Sequence, residues 1–344
     1  MARAAFYEQN RAIRVDALER GSPGPGEVEV KVAYAGICGT DLHIFHGKMD
    51  QRVASSQIMG HEVSGTVSAV GEGVTGLEIG QPVTVMPLDP CHACPACDAG
   101  HSHICLNLNF LGIDTQGGFQ TYWTVPEETI LLLPESMSLK RAALIEPLAV
   151  ACHDVRLGDV KPEDFVVVLG GGPIGTLVAL VAQQAGGDVL VSEINAERVR
   201  IGRELGLDVV DPREVDLVEL VASRTGGAGA DVLFEVTASA AGAATMTQLM
   251  RTRGQIVIVG IFSDPPVVDL KAILWREMKL CGARVYERQD FERAIELAAA
   301  GTLPLDALIT EIYPLERLEA AMEQLEGGGD AMKILIDVAA EGAE

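Results

Sequence analysis

One long uncharged segment, FVVVLGGGPIGTLVALVA, constrains the fold of this chain more than any other. It covers residues 165 to 182 and is long enough to raise the question of a membrane span. A glycine cluster divides it into a short β-branched piece and a helical piece, which predicts a strand, a tight turn and a helix. We therefore expect a βα unit at this point rather than a transmembrane helix.

The alternation of strand and helix continues after this segment. DVLVSE is followed by AERVRIGRELG, DVLFEV by ASAAGAATMTQLM, and QIVIVGI comes next. Short apolar strands that alternate with helical stretches indicate βαβ units and a parallel sheet, the α/β class. Beyond residue 285 the pattern predicts two helices, DFERAIELAAAG and PLERLEAAMEQLEGG, and a last strand, KILIDV.

The first part of the chain has a different pattern and predicts a β-rich domain. In EVEVKVAYAG, Val28, Val30 and Val32 alternate with charged residues, which is the period of a half-buried strand. HEVSGTVSAVGEGV and QPVTVM have similar patterns. The chain has 344 residues and its pattern changes near residue 146, so we expect two domains, at about 100–200 residues each.

The turn after the first strand of the α/β part carries a phosphate-binding pattern. Gly170, Gly172 and Gly175 form G-x-G-x-x-G, with Pro173 and Ile174 between the last two glycines. The pattern alone is weak, but here it follows an apolar strand and opens a helix, the context that a dinucleotide-binding turn requires. Glycines let the backbone approach a pyrophosphate, whose charge then lies at the helix N-terminus.

An acidic residue at the end of the next strand supports this interpretation. DVLVSE ends in Glu193, whose carboxylate is placed to accept hydrogen bonds from ribose hydroxyls and to repel a 2′-phosphate. The pattern therefore favours NAD over NADP, although Arg198 lies nearby and weakens that preference. The alternative is a tight βα turn without a ligand, with Glu193 as a solvated strand end.

The overall charge limits the expected partners. The formal net charge is −23, whereas nucleic-acid binding needs clustered Lys and Arg. We therefore expect a small-molecule substrate, with no nucleic-acid and no membrane partner. The opening MARAAFYEQN has no apolar segment typical of a signal peptide, and 7 cysteines, an odd number, favour a reducing, cytoplasmic compartment.

Four of these cysteines lie within one short segment, CHACPACDAGHSHIC. Cys91, Cys94, Cys97 and Cys105 have the spacing C-x2-C-x2-C-x7-C, and four thiolates suit tetrahedral Zn²⁺. Four ligands fill the coordination shell, so this zinc is expected to be structural. The alternative is free thiols or disulfides. The first three cysteines are too closely spaced for disulfides. The nearby histidines His92, His101 and His103 are expected to be bystanders.

A second set of possible ligands is scattered over three segments. GICGTDLHIF contains Cys38, Thr40 and His43, MGHEVSG contains His61 and Glu62, and ALIEPLAV contains Glu146. Each is ambiguous by itself, because a buried cysteine usually acts as a small hydrophobic residue, a His–Glu pair usually lies on the surface, and a glutamate before proline often starts a helix. Spacing alone leaves a second metal site open.

Taken together, these segments resemble the zinc-dependent medium-chain alcohol dehydrogenases. The resemblance is carried by GICGTDLH, GHEVSGTVSAVGEGV, the four-cysteine lobe, EPLAV and GGGPIG, in that order, and it extends over essentially the whole chain. EPLAV is similar to the polyol (sorbitol-type) and butanediol branch, as is GARVYERQDFERAI, whereas CGTDLHI is shared with the threonine dehydrogenase branch.

The resemblance implies a fold and domain bounds. It implies a GroES-like, β-rich catalytic domain formed by residues 1–147 and 285–344, with a structural-zinc lobe at 89–106, and a Rossmann domain with a doubly wound parallel sheet at 148–284 that binds NAD. Relatives in this family are commonly homotetramers or homodimers paired through the cofactor-domain sheet, so a homo-oligomer is expected.

The resemblance also implies roles for the scattered residues. Cys38, His61 and Glu62 would bind a catalytic zinc, and Glu146 would bind it directly or through water. Thr40 would hydrogen-bond the substrate hydroxyl and His43 would pass its proton towards solvent. Cys152 and Cys281 match no ligand position and are expected to pack in the core.

The implied activity is NAD-dependent oxidation of a secondary alcohol to the ketone, the alcohol being a polyol, a sugar or a vicinal diol. One alternative is an amino alcohol such as threonine, and Arg284 and Arg288 in RVYER would face substrate hydroxyls or a carboxylate, or else be solvated surface charges. A remote alternative from a different class is a non-catalytic protein that binds NAD and zinc.

Overall fold

The computed structural model describes residues 2–327 and 331–340 of the chain, which divide into two compact units. Unit 1 runs to Glu146 and resumes at Glu287, and unit 2 runs from Pro147 to Tyr286. The domain bounds implied by the sequence, 147/148 and 284/285, stay predictions. A few residues of the predicted catalytic domain lie outside the described ones, namely 1, 328–330 and 341–344. They include the last glycine of the predicted helix PLERLEAAMEQLEGG.

The strands carry most of the framework. Their bounds are β1 Arg3–Tyr7, β2 Ile13–Ala17, β3 Glu27–Gly36, β4 Gln57–Ile58, β5 Glu62–Val70, β6 Pro82–Val85, β7 Leu88–Asp89, β8 Asn109–Phe110, β9 Tyr122–Pro126, β10 Ile130–Leu132, β11 Phe165–Leu169, β12 Asp188–Ser192, β13 Asp208–Val210, β14 Ala230–Glu235, β15 Met250–Ile258, β16 Lys279–Gly282, β17 Ile309–Pro314 and β18 Lys333–Asp337.

The α-helices lie between these strands. Their bounds are α1 Gly39–Phe45, α2 Pro95–Asp98, α3 Leu139–Ala142, α4 Ile145–Gly158, α5 Pro173–Gln184, α6 Ala196–Glu204, α7 Leu217–Arg224, α8 Ala240–Met246, α9 Leu270–Trp275, α10 Arg288–Ala300 and α11 Leu318–Glu326. None of the helices within the described ranges is long and apolar enough to cross a membrane.

Unit 1 is built on a sheet of seven strands. The strand order is β10-β6-β5-β3-β18-β17, and β9 also pairs with β3. In β3, the predicted alternation is present as a fully buried row of valines, Val28, Val30 and Val32, which pack in the core because successive side chains of a strand point to opposite faces. The same strand pairs antiparallel with both β5 and β18. This pairing places the candidate site residues of unit 1 near one another.

Unit 2 contains a six-stranded parallel sheet in the order β13-β12-β11-β14-β15-β16. Counted along the unit, this is the order 3-2-1-4-5-6 of the doubly wound Rossmann fold, and it confirms the predicted class. The central strand β11 is buried throughout, as expected for a parallel strand covered on both faces. Its neighbours β12 and β14 lie on opposite sides, so the strand order reverses at the carboxyl end of β11.

For two neighbouring predicted elements, sheet pairing explains why the bounds differ in the structure. The helical stretch ASAAGAATMTQLM forms helix only over α8, because the chain enters β15 at Met250, where it pairs with Ala230 of β14. The strand predicted from QIVIVGI correspondingly begins five residues earlier, at Met250 rather than Gln255. Here sheet pairing outweighs the helix propensity of the alanine-rich segment.

Candidate active site

The four clustered cysteines come together in the lobe that follows β7. The Sγ of Cys94 lies 3.5 Å from that of Cys97 and 3.8 Å from that of Cys105, and the Sγ atoms of Cys105 and Cys91 are 3.4 Å apart. Four sulfurs at about 2.3 Å from one tetrahedral zinc are separated by about 3.8 Å. The spacing between the sulfurs therefore fits a zinc ion, and within the described residues none of these four cysteines forms a disulfide.

The backbone around this lobe favours thiolates. The amides of Leu106 and Asn107 donate to the Sγ atoms of Cys94 and Cys105 over 3.4 and 3.3 Å. Hydrogen bonds from backbone amides lower the pKa of Cys94 to about 6, whereas burial and the hydrogen bonds to Cys94 and Cys105 raise the pKa of Cys97 to about 11. Thiols this close do not all ionise without a cation between them, and a coordinated zinc ion supplies it.

Three of the scattered residues also converge. One ligand atom each from Cys38, His61 and Glu62 lies within 4.8 Å of the others. Strand pairing explains why: Cys38 follows the end of β3, Glu62 begins β5, and Gly36 pairs directly with Glu62 between these two antiparallel strands. The sheet therefore places the residues after β3 beside the residues at the start of β5.

His61 is buried in negative surroundings. Its side chain hydrogen-bonds Cys38, and its Nδ1 lies 3.7 Å from Oδ1 of Asp41. Burial lowers the pKa of His61, but the charges of Asp41 and Cys38 outweigh this effect and raise the pKa well above its ordinary value. A cation in the site would be stabilised by the same surroundings, because metal ions and protons compete for such ligands.

Asp41 belongs to this environment, and the sequence did not indicate its role. It is completely buried, and its Oδ2 accepts a hydrogen bond of 2.8 Å from the backbone amide of Cys38, the residue that caps α1. Burial raises the pKa of Asp41 even though His61 and the Cys38 amide act in the opposite direction. The carboxylate fixes the chain at Cys38, and its position in GTDLH was the only available signal.

Glu146 lies at the start of α4, the helix that begins in unit 1. It is buried, and its charge is close enough to raise the pKa values of both His61 and Lys333. The donor set of one thiolate, one imidazole and carboxylates suits a zinc ion whose shell is not filled by protein.

Thr40 and His43 lie on α1, directly after Cys38. They are three residues apart and thus on the same face of the helix. His43 is exposed and Thr40 half-buried, so the pair leads from the helix start beside Cys38 towards solvent. Partial burial and the positive charges of Lys48 and His46 lower the pKa of His43, which keeps its imidazole neutral and able to accept a proton near pH 7.

In unit 2, the three glycines form the turn between β11 and α5. Gly170 has φ +102°, which favours glycine, and a Cβ on Gly175 would overlap the Gly170 carbonyl oxygen. Gly172 caps α5, and Pro173 occupies its first turn with Ile174, so the helix begins abruptly with its amides directed at the turn. This arrangement fits a pyrophosphate at the helix N-terminus.

Glu193 follows β12 and is held against this turn. Its carboxylate accepts hydrogen bonds from the amides of Gly171, Ile194 and Asn195 over 2.8, 2.7 and 2.8 Å. Arg198 lies on α6, and its guanidinium approaches Gly172, since a Cβ there would be 3.5 Å from Nη1. A carboxylate and a guanidinium thus flank the turn, as expected for a site that binds a dinucleotide.

The remaining sequence candidates lie outside these groups. His92 is paired with Glu128 at 3.3 Å, and the rings of His101 and His103 meet edge to face. That these histidines are bystanders stays a prediction. Cys152 is buried and Cys281 half-buried in unit 2. Arg288 donates to the Glu128 carbonyl and pairs with Glu292.

Family models match both parts of the chain. Residues 24–135 match the alcohol dehydrogenase GroES-like domain, and residues 173–300 match the zinc-binding dehydrogenase domain. The first match contains the four-cysteine lobe together with Cys38, His61 and Glu62, and the second begins at the first residue of α5 and contains Glu193.

Individual proteins match over nearly the whole length. The 2-dehydro-3-deoxy-L-galactonate 5-dehydrogenase of Pseudoalteromonas atlantica is 48% identical and is aligned over 98% of this chain and 99% of its own. The sorbitol dehydrogenase of Halalkalibacterium halodurans is 34% identical over 92% of each chain. The crystal structure of 2R,3R-butanediol dehydrogenase from Bacillus subtilis superposes with a TM-score of 0.91 at 33% identity, covering 98% of this chain and 99% of that one.

Proposed function

Because this chain belongs to the zinc-dependent medium-chain alcohol dehydrogenases, we propose that it oxidises a secondary hydroxyl group of a sugar acid to the ketone. The chain is an NAD-dependent alcohol oxidoreductase, and our proposal concerns its substrate class, a sugar acid. The single observation that carries it is the 48% identity, over 98% of the chain, to a dehydrogenase whose name specifies carbon 5 of a 2-dehydro-3-deoxy-galactonate.

The residues of unit 1 would bind two zinc ions. Cys38, His61 and Glu62 would hold the catalytic zinc, with Glu146 as a further ligand directly or through water. When bound, zinc supplies a Lewis acid that lowers the pKa of a hydroxyl group next to it. The four cysteines of the lobe would hold the structural zinc.

Proton removal would follow the face of α1. Thr40 would accept the hydrogen bond of the substrate hydroxyl, and His43, exposed and neutral because its pKa is lowered, would take up the proton and release it to solvent. Gly170, Gly172 and Gly175 would hold the pyrophosphate of NAD, which would supply the hydride acceptor when bound.

A sugar acid differs from a polyol by its carboxylate, which calls for a cation at the site. Of the two arginines of RVYER, Arg288 is engaged with the Glu128 carbonyl and Glu292. Arg284 is exposed and makes no hydrogen bond or ion pair within residues 2–327 and 331–340. Arg284 is therefore the candidate for the substrate carboxylate.

The proposal is tested by initial rates of NAD⁺ reduction by the zinc-loaded protein. The panel contains 2-dehydro-3-deoxy-L-galactonate, sorbitol, xylitol, both chiral 2,3-butanediols and L-threonine, with NADP⁺ measured in parallel. The sugar acid should have the highest kcat/KM, and Arg284→Ala should raise its KM while leaving that of sorbitol unchanged. A preference for threonine or for a neutral diol would contradict the proposed substrate class.

The chain is also proposed to form a homo-oligomer through the sheet of unit 2. β16 lies at the edge of that sheet, where it pairs with β15 alone in the described part of the chain. The segment from Ile261 to Leu280 leaves a series of large apolar side chains exposed, namely Ile261, Val267, Leu270, Leu274, Trp275 and Leu280. An unpaired edge beside an exposed apolar surface is typical of a subunit interface. We further propose a reducing, cytoplasmic compartment, which the odd number of 7 cysteines favours.

A further inference from the structure

Beside the candidate zinc ligands lies a buried ion pair that the proposed chemistry does not use. Lys333 is 5% exposed and Glu62 is 1% exposed. The Nζ of Lys333 contacts both carboxylate oxygens of Glu62 and donates to the Ile37 carbonyl over 3.0 Å. A lysine is rarely buried to this degree unless its charge is compensated, so the pair has to be explained.

Strand order shows how the chain builds this pair. β3 lies between β5 and β18, and Gly36 of β3 is paired with Glu62 on one side and with Leu335 on the other. Lys333 is two residues before Leu335 and therefore on the same face of the sheet. A Cβ at Gly36 would overlap the Glu62 carboxylate, so the glycine leaves the space in which the two side chains meet across β3.

The charges around the pair are mostly negative. The side chains of three residues interact electrostatically with the ammonium group of Lys333, namely Cys38, Glu62 and Glu146. The ammonium group of Lys333 contacts both oxygens of Glu62 and so neutralises part of this buried acidic cluster.

We propose that Lys333 is a positioning residue that holds both oxygens of Glu62 and so weakens Glu62 as a ligand of the catalytic zinc. This rests on the proposed zinc site at Cys38, His61 and Glu62. A carboxylate shared with an ammonium group donates less charge to a metal ion, so Glu62 would bind the zinc more weakly than an unpaired carboxylate would. Lys333 thus sets how firmly zinc is held.

Removal of the lysine charge should have an unusual consequence. Without Lys333, the buried negative groups lack their cation, and a buried charge without its partner is strongly destabilising. Zinc would then be the cation that compensates them, and Glu62 would be free to bind it with full charge. A purely structural role for Lys333 predicts the opposite, a distorted site that loses zinc faster.

The experiment measures zinc retention in the full-length, zinc-loaded protein, without substrate or NAD. Wild-type protein and Lys333→Met are incubated with excess EDTA, and zinc per chain is followed over time, with the four-cysteine zinc as the internal reference. We expect Lys333→Met to lose its catalytic zinc at least about tenfold more slowly than wild type, a conservative fraction of the cost of an unpaired buried charge. Equal or faster loss would overturn the proposal.

Matched variants separate the charge effect from damage to the fold. Lys333→Arg keeps the charge and should lose its catalytic zinc at the wild-type rate. In the double variant Lys333→Met with Glu62→Gln, the rate of zinc loss should also return towards that of wild type. Lys161→Met, at an exposed lysine of unit 2, should leave the rate of zinc loss unchanged. If Lys333→Met does not fold, Lys333→Gln, which can still donate to the Ile37 carbonyl, takes its place with the same expectation.

A spectroscopic readout tests the coordination directly. With cobalt in the catalytic site, Lys333→Met should show weaker visible d–d absorption than wild type, because a Glu62 carboxylate released from the ammonium group can bind through both oxygens and so raises the coordination number. An unchanged cobalt spectrum would overturn the positioning role. Since neither readout uses turnover, their outcome is separate from that of the substrate panel.

Discussion

The carboxylate of Glu193 is bound to the backbone amide of Gly171, with 2.8 Å between Oε2 and the nitrogen. The end of β12 is thereby tied to the glycine turn that follows β11. Two further amides, of Ile194 and Asn195, donate to the other oxygen. Three donors hold the negative charge in place beside the turn, which makes it a fixed repulsive element for a 2′-phosphate on the adenosine ribose of a bound dinucleotide.

Glu193→Gln should therefore relax the choice between cofactors. Loss of the charge removes the repulsion of a 2′-phosphate, so the ratio of kcat/KM for NADP⁺ to that for NAD⁺ should rise at least about tenfold, equivalent to about 1.4 kcal/mol. Steady-state kinetics with both cofactors measures this ratio. Asp188→Asn, at the exposed other end of β12, is the control and should leave the ratio unchanged. An unchanged ratio in Glu193→Gln would show that another group sets the preference.

The two zinc sites should differ in their resistance to chelators. In the proposed sites, four thiolates supported by backbone N–H···S hydrogen bonds would hold the zinc of the lobe, whereas one thiolate, one imidazole and shared carboxylates would hold the other. Dialysis of the wild-type protein against a chelator should remove one zinc per chain together with the activity, and leave the second zinc bound. Simultaneous loss of both zincs, or loss of one with activity intact, would contradict this assignment.

His43→Ala should slow turnover by about 100-fold, the lower range for loss of a general base. A lowered pKa means that His43 is neutral, and so can accept a proton, down to a more acidic pH than an ordinary histidine. In wild type, kcat should fall only when the pH drops below this pKa, and His43→Ala should lack that acidic limb. Added imidazole should restore part of the rate. His101→Ala in the lobe is the control, and a full rate in His43→Ala would exclude the relay.

Substitutions in the apolar segment of unit 2 should dissociate the oligomer. Trp275 is 73% exposed in the single chain, and Trp275→Glu would place a charge in the proposed interface. Light scattering coupled to size-exclusion chromatography should show a smaller mass for this variant than for wild type. Ile79→Glu changes an equally exposed residue, at 72%, of unit 1 and should have no effect. A wild-type protein that is already monomeric would refute the interface.

The sequence predicted those parts of the molecule whose cause is local. The strand, turn and helix at residues 165–182 follow from the position of the glycines, and β11 and α5 are found there. The four-cysteine lobe is likewise contained in one segment. The helix end at Met246 was missed because strand pairing with Ala230 decides it, which no local pattern records.

The candidate catalytic-zinc site could not be predicted from local sequence patterns. Cys38 and His61 are brought together by the pairing of β3 with β5, so their spacing along the chain carried little information, and the family resemblance indicated them instead. Lys333 is 271 positions from Glu62, and KILIDV looks like an ordinary buried strand. Only the order of strands in the sheet, with Gly36 between the two, reveals the contact.

The most direct test of the account is a comparison of wild type with Cys38→Ser for zinc content, NADH binding and NADH formation from the sugar acid. The variant should keep one zinc per chain, in the four-cysteine lobe, bind NADH normally through unit 2, and form no NADH. Wild type should contain two zincs and turn over. Full turnover by Cys38→Ser with a single zinc would contradict the assignment of the catalytic site to Cys38, His61 and Glu62.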